Sequence, residues 1–284
     1  MRYEEQKKLN LKVHQDDFSM YLQYQFQNDT IKQLDYILQN KLKTLDWLYL
    51  AALPKSGSTF IAKKLTSLLA QQGYIHGFPF GYSMDRPQDL DIMYIAMLSQ
   101  NKFVCQSHTS GSLFNTELMR RYHIKPVILM RDLRDQLLSN HDHFYTRKEG
   151  LLSPIGSVQS MKDENWFEKD RLERLRHLIK FILPGIVDWC NKWYENRSRV
   201  EHLVIKYEEL HTNKITLFER VLDFYGLSVS EEILKENLEK DQEKELQRLN
   251  KAIPSRWKTE FPEELLPEFK AVAGKTMERW GYAW

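Results

Sequence analysis

The stretch Leu50-Ala51-Ala52-Leu53-Pro54-Lys55-Ser56-Gly57-Ser58-Thr59-Phe60 constrains this chain more than any other: an apolar run breaks into a small polar loop, and the loop opens into an amphipathic segment. That order reads as a strand, a turn and a helix N-terminus. Ser56, Gly57, Ser58 and Thr59 let backbone N–H groups converge on an anion, the helix that follows adds its dipole, and Lys55 adds a point charge. The turn is a cradle for a phosphorylated ligand. Its lysine precedes the glycine instead of following a second one, so it is not the nucleoside-triphosphate loop in which Gly is followed four residues later by Gly-Lys-Ser/Thr.

Further strands are expected at Lys102–Ser107, Pro126–Met130 and His202–Lys206, with the first at Trp47–Leu53, each short, apolar and separated by helical stretches. This alternation predicts an α/β fold, a central parallel sheet flanked by helices. Residues 1–45 read as a helical extension packed on the core, with Tyr21, Tyr24, Ile31, Leu34, Ile37 and Leu38 at mostly helical spacing. A long helical pattern over 163–197 contains Pro184-Gly185, which predicts two helices or a kink. The charged stretch from Ser230 to Asn250 reads as a solvated helix face. No linker divides the 284 residues, so one domain is expected over 1–284.

Lys and Arg number 41 against 39 Asp and Glu, a net charge of +2, so an anion site must be local and nucleic acid is not an expected partner. Two cysteines, Cys105 and Cys190, and no apolar run of membrane-spanning length predict a reduced, cytoplasmic protein without signal peptide or anchor.

Four more motifs follow. Pro126-Val127-Ile128-Leu129-Met130 ends at Arg131, whose planar fork of donors suits a phosphate, and Ser139 stands further along the helix that begins there. Taken alone this reads first as a salt-bridged helix start, and its place one strand–helix unit after the first motif favours the phosphate instead. Phe103-Val104-Cys105-Gln106-Ser107-His108 delivers a histidine to the end of a strand, where a structural histidine is the ordinary alternative. Val204-Ile205-Lys206-Tyr207-Glu208-Glu209 ends another strand on Tyr207, and Lys251-Ala252-Ile253-Pro254-Ser255-Arg256-Trp257-Lys258 is a basic loop near the end of the chain.

Together these resemble the soluble, cytosolic-type sulfotransferases that use 3′-phosphoadenosine 5′-phosphosulfate (PAPS). The resemblance runs from about Trp47 to Trp257. It implies that Lys55, Ser56, Gly57, Ser58, Thr59 and Phe60 hold the 5′-phosphosulfate and purine, and that Arg131 and Ser139 hold the 3′-phosphate. It further implies Tyr207 beside the adenine, with strand-end packing as its alternative, and Lys251, Arg256 and Trp257 in a loop over the 3′-phosphate. His108 is implied to be the catalytic base, Lys55 to stabilise the leaving oxygen, and Ser139 to hold Lys55 until acceptor arrives. The chain departs from the family pattern at Asn250, at Ala252 and Ser255 in place of two glycines, at Gln106 in place of a lysine, and at Phe60 in place of a tryptophan.

The expected activity is transfer of the sulfuryl group of PAPS to a hydroxyl or amine of a small molecule, leaving 3′-phosphoadenosine 5′-phosphate (PAP), with no metal. Residues 76–100 set Asp85, Asp89 and Asp91 beside Phe80 and Tyr82, and acid with aromatic suits a positively charged acceptor such as a nitrogen-rich secondary metabolite. The same three aspartates also suit the start of a helix near Pro87. Two other functions fit the strand–loop–helix unit: a small-molecule kinase using ATP and magnesium, and a non-catalytic nucleotide-binding module. The kinase reading lacks an Asp-terminated strand to hold the metal.

Overall fold

Trp47–Ala52 (β1) is buried at every residue. In the computed structural model it occupies the middle of a five-stranded sheet, and the described residues are Tyr36, 45–77, 88–99, 101–146, 165–239 and 254–284. The helical extension expected over 1–45 lies almost wholly outside them. The other strands are Tyr74–Gly77 (β2), Lys102–Ser107 (β3), Pro126–Met130 (β4) and Leu203–Lys206 (β5), in the order β2-β3-β1-β4-β5. Every pairing is parallel, as the alternating pattern predicts. β2 was not expected: four residues with His76 and a terminal Gly77 carry no apolar run, and this strand sits at the sheet edge.

The described helices are Ser58–Leu69 (α1), Ile92–Leu98 (α2), Leu113–Arg121 (α3), Leu133–Thr146 (α4), Arg171–Phe181 (α5), Leu183–Asn196 (α6), Glu209–Thr212 (α7), Lys214–Phe224 (α8), Glu231–Glu239 (α9), Trp257–Glu260 (α10) and Leu266–Arg279 (α11). Successive residues of β1 face opposite sides, so one strand feeds two cores. Trp47, Tyr49 and Ala51 pack with residues of α3, α4, α5, α6 and α11. Leu48, Leu50 and Ala52 pack with residues of α1, α8 and α9. The pattern over 163–197 resolves into α5 and α6, with Pro184 in the first turn of α6, where its missing N–H costs no hydrogen bond.

Strand register builds the site. Ala51 pairs with Ser107, Ala52 with Leu129, and Met130 with Lys206. One step further along, the loop after β1, His108, Arg131 and Tyr207 fall in one row at the C-terminal edge of the sheet. The chain leaves β1 towards β2 and leaves β4 towards β5, on opposite sides. The crevice between two strands whose connections diverge is where open α/β sheets bind ligands.

Candidate active site

The loop after β1 is shaped by two left-handed residues, Lys55 at φ 66° and Gly57 at φ 80°. Ser56, fully buried, donates its hydroxyl to the carbonyl of Leu53 and closes the turn. Gly57 is required twice over. Its φ disfavours a side chain, and a Cβ there would stand 3.0 Å from Leu210 and 3.1 Å from the ring of Tyr207. α1 then begins at Ser58, aiming its unpaired N–H groups and positive dipole end back into the loop. Gln106 reaches across from β3 and donates to Ser58 Oγ at 2.9 Å and Thr59 Oγ1 at 3.2 Å. The residue in place of a lysine thus orients two loop hydroxyls. Phe60 packs edge-on against Phe218 and carries Lys64 and Lys214 over its ring.

Arg131, at the end of β4, donates to the carbonyl of Lys55 at 2.6 Å and stacks on Tyr207 with 4.0 Å to the ring centroid. Gln136 donates to the neighbouring carbonyl of Pro54 at 3.2 Å. The two sequence motifs therefore share one backbone. Arg131 is buried, yet its Nε has no partner among the described residues, nor does Oε1 of the fully buried Gln136. Unsatisfied buried polar atoms are costly. A donor left open on the guanidinium that already grips the anion loop is what a ligand phosphate would satisfy.

α4 buries an unusual run of polar side chains, Arg134, Asp135, Gln136, Ser139, Asn140 and His141. Buried polar groups are more informative than buried apolar ones, because each needs a partner. Arg134 forks onto Asp132, donates to the carbonyl of Ala283 at 2.7 Å and lies 3.4 Å from the ring centroid of Trp257. Glu208 accepts the N–H of Asp132 at 3.0 Å, and burial raises its pKa. Ser139 is buried one turn beyond Asp135 on the same helix.

His108 is half-buried, with Nδ1 2.8 Å from the carbonyl oxygen of Ala52. A carbonyl only accepts, so the neutral ring carries its proton on Nδ1 and leaves a lone pair on Nε2. Burial and then Lys55 lower its pKa, while the bond to Ala52 opposes them. Its main chain is fixed on both sides: its N–H donates to Gln88 Oε1 at 2.6 Å, and its carbonyl accepts Trp189 Nε1 at 2.9 Å. Beneath it, the hydroxyls of Tyr49, Ser107 and Thr109 form a closed triangle with sides of 2.7 to 2.8 Å.

Not every expected site residue stands open to a ligand. Arg256, expected to face a phosphate, is buried between Asp142 and Glu260, 2.7 Å from each, and its charge is neutralised inside the protein. Asp89, expected to meet an acceptor, accepts from Asn115 at 2.7 Å. That contact ties the segment before α2 to the start of α3. Asp91 lies next to α2, which begins at Ile92 and not near Pro87. Phe80, Tyr82, Asp85 and Lys251 lie outside the described residues. Sequence reasoning missed Gln88, Asp135 and Gln136. For the last two a signal existed, a dense polar run directly after a buried strand; Gln88 had none. Among the described residues no helix is long and apolar enough to cross a membrane.

Over residues 45–281 the sequence matches the sulfotransferase domain family, and the chain belongs to that family of sulfuryl-transferring enzymes. A search of curated protein sequences found no match. Among solved structures, mouse sulfotransferase SULT7A1 complexed with PAP is 15% identical with a TM-score of 0.60, covering 86% of this chain and 89% of its own. Retinol dehydratase in complex with retinol and PAP is 15% identical with a TM-score of 0.58, covering 87% of this chain and 86% of that one. Retinol dehydratase with androsterone and inactive cofactor PAP, also 15% identical, gives a TM-score of 0.54 over 87% of this chain and 85% of that one. At that identity the likeness is one of fold.

Proposed function

We propose that this enzyme transfers the sulfuryl group of PAPS to a hydroxyl or amine of a small-molecule acceptor and releases PAP. The observation that carries the reading is the bond from Arg131 to the carbonyl of Lys55, which merges the two anion-binding motifs into one crevice. A nucleotide with phosphate groups at both ends suits that crevice. Lys55, Ser56, Gly57, Ser58 and Thr59 hold one end; Arg131 and Ser139 hold the other. Phe60 and Tyr207 offer aromatic surface to the base between them. Trp257 stands on Arg134 in the segment beside the second anion site.

When bound, PAPS supplies an activated sulfuryl group on a phosphate leaving group. Catalysis by the protein then comes from position and charge. Lys55 places its ammonium where negative charge develops on the leaving oxygen. His108 takes the proton of the acceptor on Nε2, since Ala52 holds its other nitrogen. Ser139 holds Lys55 until the acceptor arrives. No metal is required by these roles. Both cysteines are free and buried, which supports a cytoplasmic setting.

The acceptor is a small, polar, positively charged compound, in the manner of a nitrogen-rich natural product, which the acid and aromatic residue types at Phe80, Tyr82 and Asp85 suit. Turnover of PAPS tests the reading with a panel of amines, guanidinium compounds, phenols and steroids. We expect the cationic members to be sulfated fastest and Asp85→Asn to lower that preference. Faster turnover of neutral phenols, unchanged in Asp85→Asn, refutes the cationic acceptor; no turnover with any acceptor refutes the transfer itself.

A further inference from the structure

Ser255 has a φ of 60°. This is the left-handed region, where a Cβ crowds the backbone and which glycine enters freely. A non-glycine residue stays there only when its surroundings over-determine it. The Ser255 carbonyl accepts the N–H of Lys258 at 3.1 Å, and one side chain holds the turn from the other side. Asp135 accepts the N–H of Ser255 on Oδ2 at 2.6 Å and the N–H of Trp257 on Oδ1 at 2.8 Å.

The location of Asp135 is the puzzle. It is fully buried in the first turn of α4, just beyond Arg131, and the charge of Arg131 acts on it. Burial raises its pKa, opposed by its bond to Trp257 and by Arg131. A carboxylate beside an arginine meant for a phosphate repels that phosphate. Electrostatics alone therefore makes it harmful at this place, and its use must lie in what it holds. What it holds is a turn, from which Arg256 runs to Asp142 and Glu260 and the Trp257 ring runs to Arg134.

We propose that Asp135 is a positioning residue for the second anion site, clamping Ser255–Trp257 in a left-handed turn so that this segment is registered on α4 beside Arg131 and Ser139. The inference rests on the assignment of those two residues to the 3′-phosphate. It makes Asp135 do by hydrogen bonding what a glycine at 255 would do by conformational freedom.

Charge and positioning predict opposite signs, which makes the test decisive. Affinities of PAP and adenosine 5′-phosphate are measured calorimetrically for the wild type, Asp135→Asn, and Asp135→Asn combined with Ser255→Gly. Asn keeps one acceptor oxygen and loses the other. PAP should bind Asp135→Asn about tenfold more weakly, the scale of one charge-assisted hydrogen bond. Adenosine 5′-phosphate should be little affected, and Ser255→Gly should restore most of the loss. Unchanged or tighter PAP binding in Asp135→Asn overturns the clamp, as does an equal loss for both nucleotides. A wild type that does not prefer PAP to adenosine 5′-phosphate overturns the 3′-phosphate assignment instead. Amide exchange in the unmutated chain is a second readout. Exchange over residues 254–260 should slow when PAP binds, and exchange indifferent to PAP speaks against the clamp.

Discussion

A single carbonyl decides what His108 can do. Because Ala52 oxygen accepts from Nδ1, the neutral ring presents its basic nitrogen away from the sheet, and no proton shuffle is needed before it acts. Its pKa is lowered by burial and by Lys55, both of which disfavour the charged ring. The base therefore stays neutral to lower pH than a free histidine, and activity is lost only as pH falls through the lowered value. The acid limb of kcat/KM is expected below about 6.5, the ordinary histidine value. His108→Ala should reduce kcat by about 100- to 10,000-fold while PAP affinity is kept, and Lys55→Ala should weaken both. A limb at or above the ordinary value, or an acid limb that survives in His108→Ala, would place the base elsewhere.

At the scale of elements, the loop between β1 and α1 is held from outside as much as from within. Tyr207 fills the space that a side chain at 57 would need, and the same ring carries Arg131. Gly57→Ala forces a left-handed alanine, a cost of about 1–3 kcal/mol for a sparsely populated conformation, and also pushes Tyr207 from beneath Arg131. Gly73, at φ 86°, shares the backbone problem but has nothing within 4 Å of a would-be Cβ. Gly73→Ala should lower the melting temperature comparably and leave PAP affinity intact, whereas Gly57→Ala should lose both. Equal PAP affinity in the two variants would show that the Tyr207 contact is irrelevant to the site. α4 carries a related lesson. Taken alone its polar run reads in sequence as a salt-bridged helix start, and in the fold that run is buried directly after β4, beside the crevice.

For the whole molecule, the site is an assembly of segments that meet only in the folded state: the loop over 53–59, the end of β3, the end of β4 with α4, Tyr207, and the turn at 255–257. A ligand that bridges them binds the native state alone and stabilises it by mass action. At a hundredfold excess over its dissociation constant, PAP should add about 2.7 kcal/mol, which raises the melting temperature by roughly 5–10 °C for a domain of this size. Adenosine 5′-phosphate at the same concentration should do less, lacking the group that Arg131 and Ser139 hold. A differential scanning experiment with the two nucleotides checks this, and identical shifts would show that the far anion site contributes nothing.

The sequence carried the strands β1, β3, β4 and β5, an interruption near Pro184 that left two helices or a kink open, and the positions of Lys55, His108, Arg131 and Tyr207 at strand ends. These are legible because they are local: a buried strand is a continuous apolar run, a proline is excluded from a helix interior, and a residue next to a strand end is placed by the strand. Which partners those residues take was settled by long-range packing. Arg131 meets the carbonyl of Lys55 across 76 positions, and Asp135 meets Ser255 across 120. Arg256 turns to Asp142 and Glu260 although its loop suggested a phosphate contact, and Asp89 turns to Asn115 although its neighbours suggested an acceptor. β2 is the edge strand and pairs with β3. A charged side chain takes whichever opposite charge or hydrogen-bonding group the packing brings within reach, and that choice is made by sheet register and helix docking, which no local period in the chain records.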